Sequence, residues 1–408
     1  MSDRDSRLVL HPAARQPAAQ PTAEAPLPPL DLSSARRVLA VRLDNIGDVV
    51  MAGPALSTIR RAAPKATLTL LCSPAGREAA RLLPAVDETL VARAVWQDAG
   101  NRLSFDPNRE LAFVERLRAG RFDAAIIFTS FSQSVFPPAY ACYLAGIPIR
   151  AGQANEFGGS VLSHAVPAAP DGTHQVERNL HLVEALGLPV ADRSLIVSLP
   201  RSAIDSAHRL LESIGIEPLR PFVALAPGAS AAARRYPAER YAEIAAGLAD
   251  RLGWPIVVLG GTTDRAAADT IAAAGPGIRS LAGRTDVAEW ATVIGAARVL
   301  VSSHSAPIHL ADAVRTPVVC LFSGTDRESE WAPRDTPAVL LREPTACAPC
   351  RRFDCPIGLP CLDIAPADAV EAVVALLDGR PVADAPSEPV PASTGDALPE
   401  DRWNRFAS

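Results

Sequence analysis

Asp48 closes the turn Leu43-Asp44-Asn45-Ile46-Gly47-Asp48, between an apolar run at residues 37–43 and a helical pattern over residues 49–63. A carboxylate in a loop just past a strand can reach a substrate hydroxyl and act as a general base. The same position suits a helix cap, and the two roles are compatible. Gly47 beside it permits a tight turn.

Three further loops carry anion-binding chemistry. Ala226-Pro227-Gly228-Ala229-Ser230 follows the run FVALA, with Arg234, Arg235 and Tyr236 close behind. Small residues such as Gly228 and Ser230 let backbone N–H groups approach an anion, and arginines neutralise phosphate. The plainer reading is an ordinary strand–loop–helix with surface arginines. Leu259-Gly260-Gly261-Thr262-Thr263-Asp264 follows the next apolar run. Its glycines, Gly261 among them, suit close approach to a ligand, and Asp264 can accept from ribose hydroxyls or cap a helix. The GxGxxG fingerprint is absent, which argues against a nicotinamide enzyme. Ser302-Ser303-His304-Ser305-Ala306-Pro307-Ile308-His309 follows VLV, and Pro307 fits early in a helix. The hydroxyls of Ser303 and Ser305 and the free N–H groups near Ala306 then converge on a diphosphate-sized site. His304 and His309 are five residues apart, which does not match the metal-binding i, i+4 pair.

Cys347-x2-Cys350-x4-Cys355-x5-Cys361 is a separate constellation. Four thiolates in one loop can hold zinc tetrahedrally or an iron–sulfur cluster. An all-cysteine site leaves no open coordination position, so a structural role is expected. Cys72, Cys142 and Cys320 stand in apolar surroundings and are expected to be buried and inert.

These loops need elements that position them. Short apolar runs at 37–43, 67–72, 124–128, 222–226, 256–259, 299–301 and 318–322 predict strands. Helical patterns at 49–63, 111–119, 138–145, 176–186, 237–252, 264–274, 287–297, 307–314 and 366–377 alternate with them. Such alternation predicts parallel sheets covered on both faces. The periodicity weakens after Pro189 and resumes in a second series, which implies two Rossmann-like, doubly wound domains facing a cleft. The expected division is a first domain at 36–195 and a second at 205–378, the latter containing the cysteine loop at 345–362. Ligands of open α/β sheets bind beyond the carboxyl ends of the strands.

Composition sets the outer limits. The chain has 408 residues, 48% hydrophobic and 21% charged, with a formal net charge of −5. That apolar share excludes wholesale disorder. The mild acidity excludes a general nucleic-acid binder, and Lys65 is the only lysine. Residues 1–35 and 380–408 are rich in proline and alanine and are expected to be disordered. The opening HPAARQPAAQPTAEAPLPP lacks an apolar signal-peptide core, so a cytoplasmic protein is expected.

With these motifs in order, the chain resembles glycosyltransferase family 9, the heptosyltransferase-like family. The matching pieces are VRLDNIGDVVMAGPAL, APGASAAARRYPAERYAEI, GGTTD, the SLAGRTDVAEW…FSGT stretch and the CAPC-x4-C-x5-C loop, over about residues 37–378. The resemblance implies the GT-B architecture of two Rossmann-like domains. It also implies inverting sugar transfer without a catalytic metal or other cofactor, with heptose moved from ADP-heptose to a lipopolysaccharide core or other glycoconjugate. The acceptor would be reached from the cytoplasm, with peripheral contact at the inner face of the membrane. Asp48 matches the family's base, Arg234 and Arg235 its diphosphate-steadying pair, Asp264 an acidic position near the ribose, and residues 303–309 the diphosphate-binding helix start. Three positions depart from the family pattern, and one is Arg234, which stands where many members have lysine and keeps the charge with a different geometry. His304 replaces an acidic or amide residue near the donor sugar, and Ala306 replaces a glycine at the phosphate. A sugar-nucleotide-binding protein without turnover is the alternative those departures raise.

Overall fold

The computed structural model describes residues 29–380, apart from 99, 101, 132 and 218. The expectations for residues 1–28 and 381–408 lie outside the described residues. Residues 29–35, expected to be part of a disordered arm, are packed instead. Leu30 and Leu32 are buried, and the Leu30 N–H donates to the Leu186 carbonyl at 2.8 Å. Two leucines among the prolines supply the apolar surface that the overall composition concealed.

Twelve strands form two six-stranded sheets among the described residues. The first holds β1 (Arg37–Arg42), β2 (Thr67–Cys72), β3 (Glu88–Val91), β4 (Ala124–Ile127), β5 (Ile149–Gln153) and β6 (His164–Val166), in the order β3-β2-β1-β4-β5-β6. The second holds β7 (Val223–Ala226), β8 (Ile256–Val258), β9 (Ile278–Ser280), β10 (Val299–Ser303), β11 (Val318–Leu321) and β12 (Ala338–Leu341), in the order β12-β11-β10-β7-β8-β9. Every neighbouring pair is parallel. This is the two-domain, doubly wound α/β architecture. The strand order of each sheet reverses once, between β1 and β4 and between β7 and β10. The crevice at such a reversal is where open α/β sheets bind ligands.

The expected strands are the buried central ones. Missed were β3, β5, β6, β9 and β12. Edge strands such as Glu88–Val91 and Ile278–Ser280 keep polar, half-exposed residues, so no apolar run marks them. The helix expected over residues 49–63 starts earlier and divides into Ile46–Met51 and Gly53–Ala62. Pro54 lies in the first turn of the second piece, where its missing N–H costs nothing.

A further helix, Arg201–Ser213, occupies part of the expected joining segment. It buries Ala203, Ile204, Ala207 and Leu211 and packs against the helix Val287–Ala296. One buried cluster runs from Leu32, Val38 and Leu56 in the first domain through Phe222 and Ile308 to Phe322 in the second. Among the described residues no helix is long and apolar enough to cross a membrane.

Candidate active site

Asp48 sits in the first turn of the Ile46–Met51 helix, directly after β1. Its Oδ2 accepts from the Asn45 N–H at 3.1 Å, the cap role anticipated from sequence. Its Oδ1 accepts from Arg42 Nη2 at 2.9 Å and from the Ser130 hydroxyl at 3.2 Å. The side chain remains 13% exposed.

Arg42 is the last residue of β1, and its side chain is wholly buried. It also lies 3.1 Å from Asp44, whose other oxygen accepts from Gln133 Nε2 at 2.6 Å. One guanidinium thus holds two carboxylates beside the reversal point of the first sheet. Burial pushes Asp44 above the usual carboxylate range, with Arg42 opposing and Asp48 adding to the push. Sequence reading passed over Arg42 although a signal was present: an arginine that ends an otherwise apolar strand needs a buried partner.

The second domain presents the helix Ala306–Ala313 directly opposite. A Cβ on Gly47 would meet His309 Cδ2 at 2.7 Å and Ala306 Cα at 3.3 Å. Gly47, expected to serve a tight turn, is therefore small because another helix touches it. His309 is buried, and burial pulls its pKa down to about 4, with Asp48 opposing and Arg234 reinforcing the shift. Its imidazole is neutral at pH 7.

The four expected loops behave differently from one another. Arg234 reaches inward, its Nη2 2.6 Å from Asp326 and its Nε donating to the Thr325 hydroxyl at 3.1 Å. Arg235 instead folds back, its Nε donating to the Ala229 carbonyl at 2.9 Å, so the two arginines meet different partners. Ser230 is exposed on the same loop. Ser303, expected to bind ligand, is fully buried. Its hydroxyl donates to the Pro227 carbonyl at 3.1 Å and lies 2.9 Å from the Tyr241 hydroxyl, so it braces the loop from beneath. Ser305 donates to the Gly228 carbonyl at 2.8 Å, tying the two anion loops together.

Asp264 also lies between loops. Its Oδ2 accepts from the Gly261 N–H at 2.8 Å, and a Cβ on Gly228 or Gly260 would come within 2.6 or 2.8 Å of its side chain. The glycines leave room for this carboxylate.

His304, at the position where the family pattern is acidic or amide, stacks on Phe322 with ring centroids 4.0 Å apart. Burial holds it well below the usual histidine range, and Arg234 adds to that. Its Nδ1 is 3.8 Å from Asp326 Oδ2. Burial works against the ionisation of Asp326, but Arg234, His304, Thr325 and Arg351 outweigh it and keep the carboxyl low.

Asp326, Glu330, Trp331 and Arg351 were missed because only the fold brings them together. Phe131 of the first domain meets Trp331 of the second edge-on at 6.0 Å. On the other side the Arg178 guanidinium lies 4.4 Å over the Phe131 ring. The domains are further joined by His174 Nε2–H donating to the Ala332 carbonyl at 3.0 Å, and by Arg334 with Glu177 at 2.5 Å.

The cysteine loop departs from expectation. Cys347, Cys350, Cys355 and Cys361 are free thiols, ranging from exposed Cys347 to buried Cys361. Among the described residues no three His, Cys, Asp or Glu side chains gather into a metal-binding set, so the expected four-thiolate site is not assembled in this geometry. Cys72, Cys142 and Cys320 are buried, and burial raises each thiol's pKa, to about 11 for Cys72 and about 12 for Cys142.

The family model described as glycosyltransferase family 9 (heptosyltransferase) matches residues 110–359. Lipopolysaccharide heptosyltransferase 2 of Escherichia coli (strain K12) is 26% identical over 355 residues, covering 84% of this chain and 98% of that protein. The solved structure of E. coli ADP-heptose lps heptosyltransferase II superposes with a TM-score of 0.65 at 23% identity, covering 84% of this chain and 99% of that one. A glycosyl transferase family 9 structure from Veillonella parvula DSM 2008 gives a TM-score of 0.70 at 18% identity, covering 86% and 99%. With the fold, the motif order and the family match in agreement, the chain belongs to glycosyltransferase family 9 and is a glycosyltransferase.

Proposed function

We propose that this enzyme transfers a heptosyl unit from ADP-heptose to a lipopolysaccharide-core or related glycoconjugate acceptor, with inversion and without a catalytic metal. The observation that carries the reading is the contact between Gly47 and His309. It sets the Ile46–Met51 helix, which carries Asp48, against the start of the Ala306–Ala313 helix, which supports pairing a base with a diphosphate-binding helix start.

Asp48 takes the proton of the acceptor hydroxyl as that oxygen bonds to the anomeric carbon. The bond from that carbon to the diphosphate oxygen breaks, and its electron pair leaves with ADP. Attack on the face opposite the leaving group inverts the centre. Arg234 and the N–H groups opening Ala306–Ala313 supply positive charge to the departing diphosphate, so the reading assigns no catalytic metal. In this reading Asp264 accepts from the ribose.

Buried Arg178 donates from Nη1 to the Ala169 carbonyl at 3.4 Å, while its Nε has no hydrogen-bond partner among the described residues. A buried guanidinium in that state favours an anionic group on the ligand. Nearly fully exposed Phe105 and Phe157 support contact with the inner face of a membrane.

The test is a transfer assay with ADP-heptose and a heptose-accepting core glycolipid, run with and without chelator, with the product's anomeric configuration read by NMR. Product of inverted configuration, formed at the same rate in chelator, is expected. Retained configuration, or activity lost to chelator and restored by a divalent cation, would overturn the mechanism.

A further inference from the structure

The cysteine loop is stitched to the site by its backbone. The Cys350 N–H donates to the Gly324 carbonyl at 3.0 Å and the Arg351 N–H to the Thr325 carbonyl at 2.9 Å. The Ala233 N–H donates to the Phe353 carbonyl at 2.9 Å. Residues 350–353 therefore brace both the turn bearing Asp326 and the turn bearing Arg234. Gly324 admits the loop, since a Cβ there would lie 3.1 Å from Ala348 and 3.2 Å from Cys361.

Arg351 itself has φ +55°, a left-handed conformation that is strained for a residue with a side chain. That conformation aims the guanidinium inward. Nη1 lies 2.8 Å from Asp326 Oδ1 and Nη2 2.6 Å from Glu330 Oε1, while the group sits 5.2 Å from the Phe131 ring across the seam. Asp326 carries Arg234 on its other oxygen. The two guanidiniums are one carboxylate apart, a spacing that also fits the oxygens of a diphosphate. Both also act on His304. Arg351 keeps about a third of its side chain exposed (31%), whereas Asp326 and Glu330 are buried.

We propose that Arg351, delivered by the cysteine loop, is a second cation for the donor's diphosphate, acting beside Arg234. Asp326 and Glu330 hold it ready, and the diphosphate engages its open side. The loop then serves the donor site directly rather than acting as a remote staple. The proposal rests on the reading of a nucleoside-diphospho-sugar donor.

The test is calorimetric titration of the full chain with ADP, UDP and GDP, carrying the tightest-bound one forward with its monophosphate. Arg351→Ala should weaken the diphosphate by about tenfold to a hundredfold and the monophosphate by less than about threefold. Arg352→Ala, an exposed arginine in the same loop, should bind both as wild type does. Arg351→Gln replaces the alanine variant if that one melts early. Unchanged diphosphate affinity, or equal loss of both nucleotides, would overturn the role of Arg351 while leaving the donor reading intact. A wild-type chain that binds none of the three diphosphates would overturn the donor reading and this inference with it.

Discussion

Asp48 has two occupations at once. It closes its own helix turn through the Asn45 N–H, and it faces the cleft while held by Arg42 and Ser130. Asp48→Asn keeps the shape and one acceptor oxygen but cannot take a proton. We expect kcat to fall by at least about a hundredfold, the lower range for a positioned base, with nucleotide affinity nearly unchanged. Steady-state rates alongside nucleotide titration decide it, and a variant keeping more than about a tenth of wild-type kcat would remove the base role. Asp48 was legible in the sequence because a strand-end loop announces itself. Its partner Ser130 was not, since it approaches Asp48 only after β1 and β4 pair.

At the scale of elements, the central strands were readable because a strand buried on both faces must be a continuous apolar run. Edge strands carry no such requirement, and all four, β3, β6, β9 and β12, were missed, as was interior β5, whose Arg150, Gly152 and Gln153 break the apolar run. The loops expected to bind anions do follow β7, β8 and β10, and several of their side chains brace neighbouring loops. Ser303 and Arg235 are of the bracing kind, and only the hydrogen bonds to Tyr241, Pro227 and Ala229 reveal this. The helix-to-helix contact at Gly47 makes its own prediction. Gly47→Ala puts a methyl group 2.7 Å from the His309 ring, so one helix must move. Overpacking of this sort costs about 1–3 kcal/mol. A lower melting temperature and a reduced kcat are expected together, and a variant matching wild type in both would show that the helices do not meet this closely during turnover.

Across the whole molecule, three histidines stand where the domains meet, His304 and His309 buried and His174 partly so. Burial lowers His174 to about 3 and His309 to about 4, and holds His304 well below the usual range. Each is neutral when folded, whereas in the unfolded chain each takes a proton below about pH 6.5. Their stabilisation is therefore complete above that pH and is lost as pH falls toward the folded values. The loss is about 1.4 kcal/mol per histidine per pH unit. Asp312, raised by burial to about 6, works in the opposite direction between about pH 6 and 4 and offsets part of it. Melting temperature should drop steadily from pH 7 to pH 4.5, with a shallower slope in His309→Gln. A flat profile over that interval would show that these histidines do not control acid stability.

The buried cluster shared by the two domains has a thermodynamic consequence. Leu56, Phe222 and Phe322 belong to one body of apolar contacts, so neither domain can melt without exposing part of the other's packing. Unfolding is then a single cooperative event despite the two sheets. On the proposed donor reading, free energy gained when a nucleotide seats in the second domain is distributed over the entire chain. The first domain, with its proposed base, is then expected to gain resistance to heat and proteolysis from a ligand bound mainly by its neighbour.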